Sequence, residues 1–471
     1  MSDTTQPLKL FEKKERIFPK RVWGKFRKVK WVSMVVLLGI YYLAPFLRWD
    51  RGPHAPDQAI LIDMSSSRAY FFFIDIWPQE VYYLTGILIL AAIALFLATS
   101  LFGRVWCGYA CPQTVWTDLF VWVERIVQGD RAKRLKLYNA PWSIEKLGKL
   151  GLTHLLWILI GLFTGGAWVF YFNDAPTLIE QIIHFDVPWS VLGWIIALTG
   201  STYVMAGFAR EQVCAYMCPY ARFQSAMFDK DTLVIGYDTE RGEPRGKHKK
   251  GDSWEGRGHC IDCTACVQVC PVGIDIRDGL QMECIACGLC IDACNDVMHK
   301  LELPLDLIRY DTTHNQDSRR IGTSERSTIW RPRTLYYATI IALVGGAILY
   351  GLLNRSLAEV HVLHDRNPLF VQLSDGSVRN GYDIKILNKT LEDNIYNLEV
   401  SGIPGLEMRV QGAGDLQAAA LPVFAGSVGH FRVFLSAPKP NEKRANVTFT
   451  LTDSNGQQYE IYESVFVSGM P

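Results

Sequence analysis

The stretch Cys260-x-x-Cys263-x-x-Cys266-x-x-x-Cys270-Pro271, followed by Cys284-x-x-Cys287-x-x-Cys290-x-x-x-Cys294, decides what kind of chain this is. Each half matches the bacterial ferredoxin run in which thiolates hold a [4Fe–4S] cluster, the fourth cysteine of each run ligating the other cluster. Three thiolates on one tight loop cover three corners of a cube, and a returning segment supplies the fourth. The spacing predicts one cluster on Cys260, Cys263, Cys266 and Cys294, and another on Cys284, Cys287, Cys290 and Cys270. Asn295 stands where a proline usually follows the second run, which removes no ligand. Zinc sites use two separated cysteine pairs, so a triplet plus a fourth cysteine, repeated, does not fit them. Eight thiols this dense fit disulfides equally poorly in a reducing compartment.

The rest of the 471 residues is read outward from that run. The length fits roughly three domains. A net charge of +1 gives no electrostatic case for nucleic acid, and no Gly-x-Gly-x-x-Gly fingerprint for a nicotinamide accompanies the clusters. Apolar residues make up 49% of the chain and are clustered, which is a membrane signal. Five spans are expected, at Trp31–Leu47, Val81–Phe102, Gly151–Phe172, Trp189–Ala209 and Leu335–Leu353. Residues 1–30 carry 10 Lys/Arg, the loop 48–80 carries 3, the segment 103–150 carries 8 and the loop 173–188 carries 0. By the positive-inside rule this alternation places the N-terminus, residues 103–150 and the ferredoxin segment in the cytoplasm. An odd number of spans places the tail outside, and that tail has no cysteine. The aromatic segment Tyr70–Trp77 reads either as a membrane-interface belt or as a buried strand.

The expected domains are a basic N-terminus (1–30), a four-helix membrane domain (31–229), a two-cluster ferredoxin-like domain (230–334), a fifth transmembrane helix (335–353) and an exported all-β domain (354–471). In the last, seven strands (Val360–Val362, Leu369–Leu373, Asp383–Leu387, Asn394–Val400, His430–Leu435, Asn446–Leu451 and Glu460–Val467) alternate apolar and polar residues between Gly, Pro, Asn and Asp turns. This pattern predicts an immunoglobulin-like sandwich. Asn388-Lys389-Thr390 matches a glycosylation sequon by a three-residue coincidence.

The four remaining cysteines form a repeat. Cys107-x-Tyr109-x-Cys111-Pro112 follows the second span, Cys214-x-Tyr216-x-Cys218-Pro219 follows the fourth, and Arg104 and Arg210 precede them. The first four spans therefore read as two copies of a hairpin plus a cysteine motif, and such repeats place sites at the interface between copies. Proline suits the first position of a helix, so Cys111 and Cys218 are expected as N-caps, where a helix terminus favours thiolate. Soft sulfur ligands select Cu(I), zinc or iron–sulfur centres. Reversible dithiol chemistry and plain apolar packing are the other readings. Tyr109 and Tyr216 read as interface aromatics. His54, His184, His361 and His364 fall on the outer side, His154 at the inner end of the third span, and Met64, Met205 and Met217 read as core filler rather than soft ligands.

This layout resembles the cytochrome c oxidase accessory proteins called CcoG, FixG or RdxA. The cysteine motifs alone are similar to those of NapH-type membrane ferredoxins, which the β tail sets apart. The resemblance implies a part in assembling cbb3-type cytochrome c oxidase, by reducing Cu(II) to Cu(I) for delivery to the oxidase. Oxidase-assembly and copper-transport proteins would be the partners, and the electron donor is not specified. Cys107, Cys111, Cys214 and Cys218 would then be the redox and copper residues, and the eight cysteines from Cys260 to Cys294 the electron relay. Two other functions fit the same residues: a quinol-linked electron-transfer subunit without copper, and an assembly scaffold with structural clusters.

Overall fold

The computed structural model describes residues 16–53, 55–248, 253–324, 329–411, 419–438, 442–453 and 456–469. His54 and the basic residues Lys9, Lys13 and Lys14 lie outside these. The chain divides into two compact units, one of residues 1–47 and 60–347, the other of residues 48–59 and 348–471.

Five helices are long and apolar enough to cross a membrane: Lys25–Phe46, Pro78–Phe102, Ile144–Val169, Trp189–Ala209 and Pro332–Leu353. The chain is a membrane protein. The first and third helices begin about one to two turns earlier than the apolar runs predict, because local partners satisfy their polar first turns. Ser143 accepts from the Lys146 amide as N-cap of the third span, with Glu145 beside it at the positive helix end. In the first, Arg27 and Lys30 are buried against Asp118. The third and fourth spans approach through Gly161 and Gly165, where an added Cβ would meet Thr199 backbone at 3.1 and 3.0 Å. That is the small-residue packing membrane helices use.

The segment 103–150, expected as a loop, is largely helical: Val105–Tyr109, Pro112–Gln128 and Arg131–Asn139. Pro112 opens the longest of these at a position where its missing N–H costs nothing. Its apolar face buries Phe120 on Trp157 with ring centroids 5.2 Å apart. The aromatic segment after residue 60 is the buried-strand alternative. Strands Ile60–Asp63, Arg68–Phe71 and Ile74–Ile76 form an antiparallel meander, Tyr70 and Trp77 are buried, and the Arg68 guanidinium lies 3.5 Å over the Trp77 ring. The Ile62 amide bonds the Tyr171 carbonyl and so ties the meander to the end of the third span.

The ferredoxin segment packs within the same unit as the spans. Two short helices, Ala265–Val269 and Leu289–Lys300, lie behind a two-stranded sheet of Val234–Tyr237 and Ile308–Asp311. Its two cysteine loops are equivalent in backbone as well as sequence. Asp262 and Thr264 in the first, and Ala286 and Gly288 in the second, all take positive φ at matching positions. A residue other than glycine adopts that region only where its surroundings hold it there, as in loops that wrap an anionic cluster.

In the other unit, one sheet runs Glu407–Val410, Ser427–Ala437, Val378–Asn388, Ala358–His364, with Val371–Gln372 also paired to Val378–Asn388. The second runs Ala419–Val423, Asn394–Ser401, Arg444–Asp453, Gln458–Val467. Tyr382, Ile384 and Val433 of the first sheet share one core with Tyr396, Phe449 and Phe466 of the second. Seven of these nine described strands match the expected set. Glu407–Val410 and Ala419–Val423 were not expected: both are short edge strands, and Pro422 in the second breaks the strand pattern, as edge positions allow. The sequon asparagine is structural. Asn388 is fully buried, donates to the carbonyls of Glu392, Val423 and Phe424, and accepts from the Thr390 amide and hydroxyl and the Tyr396 hydroxyl. Asn388→Ala should destabilise this unit by about 2–4 kcal/mol through several orphaned buried polar groups. A lowered midpoint for its transition in denaturant unfolding of the purified chain checks this.

Candidate functional site

The crossed grouping of the eight ferredoxin cysteines is present in the geometry. One cavity is lined by Cys260, Cys263, Cys266 and Cys294 with Tyr237, Arg277 and Leu307, and a second by Cys270, Cys284, Cys287 and Cys290 with Ile235, Val272 and Ile276. Each encloses a cavity of about 20 Å³. Among the described residues, no three His, Cys, Asp or Glu side chains converge as ligands of a single metal ion do. Four thiols ringing a void, rather than meeting at a point, fit the donor set of a cluster. The apolar walls push the thiols up, Cys266 and Cys270 to about 11 and Cys284 and Cys294 to about 12, chiefly by burial. Such groups give up protons to a metal rather than to water.

The repeated membrane-edge motifs are built alike. Cys111 is the N-cap of Pro112–Gln128 and Cys218 of Pro219–Met227, as expected. The Cys111 amide bonds the Trp106 carbonyl at 2.8 Å, and the Cys218 amide bonds the Val213 carbonyl at 2.7 Å, a five-residue closure in both copies. The second copy carries one more residue between its arginine and first cysteine, and it accommodates the excess in π turns at Met205–Ala209 and Val213–Met217, with Arg210 at φ 41°. The copies also clasp each other reciprocally. Gln113, just past the first motif, donates to the Met205 carbonyl at the end of the fourth span, while Tyr220, at the matching position past the second, bonds Thr99 in the second span. Cys107 points across to Gln224 at 3.5 Å. Cys107 lies within electrostatic range of Cys111 and Cys214, and Cys214 within range of Cys111 and Cys218. Burial pushes Cys107 up to about 12 and Cys214 up to about 11.

The first motif sits directly on the second cluster loop. An added Cβ on Gly108 would meet the Ile285 carbonyl at 2.8 Å, so only glycine admits that approach. Cys107 shares an apolar cluster with Ile285, Cys287 and Leu289. Arg104, buried, donates to the carbonyls of Met282 and Ala221, bridging the cluster loop and the second copy's helix. Tyr109 is not an interface aromatic: its hydroxyl donates to the Cys287 carbonyl at 3.0 Å and meets the Tyr310 hydroxyl at 3.4 Å. Tyr216, in the other copy, is exposed.

Sequence reasoning missed the ion pairs that fix this arrangement. Glu124, fully buried, takes guanidiniums from Arg16 at 3.2 Å, Arg210 at 2.6 Å and Arg134. Asp118 takes Arg27 at 2.9 Å. Asp292 accepts from the Phe26 and Arg27 amides, and the Lys20 amide bonds the Gln268 carbonyl. The basic N-terminal stretch is thus a strap sewing the helix Pro112–Gln128 to the ferredoxin segment. The available signal was Asp118 and Glu124, two of four carboxylates in a segment with eight Lys/Arg. The remaining candidates are less central. His154 bonds Tyr203 at 3.0 Å, His364 bonds Asn380 at 2.7 Å, and His361 lies 3.8 Å from Glu359. Met64, Met205 and Met217 are exposed rather than core filler.

The model of a 4Fe-4S dicluster domain matches residues 209–313, that of a 4Fe-4S binding domain matches 84–129, and that of an IG-like fold at the C-terminus of FixG matches 348–469. The chain is 47% identical to the nitrogen fixation protein FixG of Rhizobium meliloti, over 97% of this chain and 93% of that one. The chain belongs to the FixG/RdxA family. RdxA of Cereibacter sphaeroides is likewise 47% identical, over 94% and 93% of the two chains. The ferredoxin-type protein NapH of Haemophilus influenzae matches at 27% over 46% of this chain and 69% of its own. As a family member the chain is a membrane iron–sulfur redox protein with 4Fe-4S domains and an immunoglobulin-like tail.

Glu124→Gln should cost about 3–5 kcal/mol, because three guanidiniums lose their buried counter-charge. The check is the thermal midpoint of the detergent-solubilised chain, with Lys149→Ala, at an exposed i,i+4 pair, as a near-neutral control.

Proposed function

We propose that the chain reduces Cu(II) to Cu(I) at the membrane-edge cysteines, with electrons drawn from two [4Fe–4S] clusters, and that the product serves assembly of a cbb3-type oxidase. Cys260, Cys263, Cys266 and Cys294 would hold one cluster, and Cys270, Cys284, Cys287 and Cys290 the other. When bound, each supplies one-electron chemistry, the stoichiometry Cu(II) + e⁻ → Cu(I) requires. The observation that carries this reading is the seating of Cys107-Gly108-Tyr109 on the loop Cys284–Cys290, which leaves no intervening domain between relay and acceptor site.

The chain's own groups have separate tasks. Gly108 permits the close approach, and Arg104 and Tyr109 hold the loop by its carbonyls. Cys107, Cys111, Cys214 and Cys218 offer soft sulfur that favours Cu(I) over Cu(II), and the ion's charge lowers the cost of deprotonating the two thiols that burial has pushed up. The Lys/Arg alternation supports a cytoplasmic N-terminus, motifs and clusters, with the immunoglobulin-like domain in the periplasm.

Dithionite-reduced chain, mixed anaerobically with Cu(II), should convert it to Cu(I), and a chain lacking the four membrane-edge cysteines should not. Cys111→Ala and Cys218→Ala should each abolish copper binding almost as fully as the double variant, with iron content unchanged. Half the copper retained by each single variant would mean two independent sites. Undiminished reduction without the four cysteines would leave the quinol-linked or scaffold reading standing.

A further inference from the structure

Arg104 and Arg210 stand in corresponding places before the two cysteine motifs, yet their charges meet different surroundings. Arg210 is paired with the buried Glu124 carboxylate at 2.6 Å. Arg104 is equally buried, and its guanidinium donates to three backbone carbonyls: Met282, Cys284 at 3.5 Å and Ala221 at 2.5 Å. Among the described residues no carboxylate pairs with it. A buried cation without a counter-charge is costly to hold.

The two thiol-ringed cavities differ in the same way. Arg277 lines the one with Cys260, and that guanidinium is already matched by Asp262 at 2.5 Å and Asp275 at 2.6 Å. The one with Cys284 has no charged side chain in its walls. Asp292, on the helix that follows, is turned to the Phe26 and Arg27 amides. Arg104 is thus the unmatched charge held against the second cavity. It bonds the Cys284 carbonyl, and its charge reaches the Cys284, Cys107 and Cys214 sulfurs.

Resting on the assignment of Cys270, Cys284, Cys287 and Cys290 to one cluster, we propose that Arg104 is a potential-setting residue, whose uncompensated charge favours the reduced form of that cluster. Reduction adds one electron and no proton, so the cluster gains a unit of negative charge in apolar surroundings that oppose it. The fixed guanidinium offsets that cost. An electron shared between the two clusters therefore shifts toward the one whose loop carries Cys107 and Gly108.

The test is an anaerobic redox titration of the full chain with dithionite, followed by the paramagnetic signals of the two reduced clusters. Arg104→Gln should lower one midpoint potential by about 59 mV, a tenfold fall in the ratio of reduced to oxidised cluster, and leave the other in place. Arg104→Lys disturbs the same carbonyl contacts but keeps the charge, so its potentials should stay near wild type. Equal iron content in all three chains checks that both clusters are present, and Arg104→Met replaces Arg104→Gln if the latter falls short. Two unmoved potentials in the uncharged variant, or an equal fall in Arg104→Lys, would overturn the inference. A wild type that shows no pair of clusters would instead overturn the cluster assignment on which it rests.

Discussion

Glu124 is the constraint on which the rest of the first unit depends. A carboxylate with no exposed surface is tolerated only where charge surrounds it, and here the three guanidiniums come from three places: the N-terminal strap, the helix Arg131–Asn139 and the second cysteine motif. The pairing holds the Glu124 carboxyl well below its ordinary range, with burial opposing and Arg210 the largest favourable influence. Asp118, two turns earlier on the same helix, adds Arg27 and Lys30 of the first span. Each of these arginines thereby fixes a piece of backbone that bears on the redox site. Buried ion pairs of this kind are weak net stabilisers but costly to break, which makes them better at specifying one arrangement than at strengthening it.

What they specify is proximity. The strap touches the ferredoxin segment just past the first cysteine run and within the second: Ile17 packs at Gly273 and Phe26 at Gly288, each a positive-φ glycine. The first membrane-edge motif is pressed onto the second loop through Gly108 and Tyr109, while Tyr310, its hydroxyl beside that of Tyr109, ties the same loop by donating to the Ala286 carbonyl at 2.5 Å. Electron transfer needs closeness and rigidity more than any acid or base, and the residues around Cys284–Cys290 supply both.

Much of this was legible in the sequence where a period or spacing carried it. The two cysteine runs, the five apolar stretches and the alternating strands are local patterns, and each has its expected counterpart in the fold. Cys111 and Cys218 as N-caps were readable because the proline after each restricts only its neighbours. What escaped were pairings between residues far apart in sequence. Nothing local marks Arg16 as the partner of Glu124, so the basic N-terminus read as a solvated, sidedness-setting charge run. Tyr109 read as an interface aromatic because its acceptor, the Cys287 carbonyl, lies 178 residues away. The π turns of the second copy left one trace, the additional residue between Arg210 and Cys214.

The central claim is that the cluster ringed by Cys270, Cys284, Cys287 and Cys290 is the immediate donor to the membrane-edge cysteines. Comparing Cys270→Ala with Cys294→Ala tests it most directly, since each removes a ligand from the cluster opposite to its sequence neighbours. Each variant would be reduced with dithionite, cleared of excess reductant and mixed with Cu(II), and the loss of the Cu(II) paramagnetic signal followed by freeze-quench. The account predicts that the Cys294 variant still reduces one copper rapidly, while the Cys270 variant, though its other cluster is reduced, does so slowly or not at all. Rapid reduction by the Cys270 variant together with loss of it in the Cys294 variant would contradict the account.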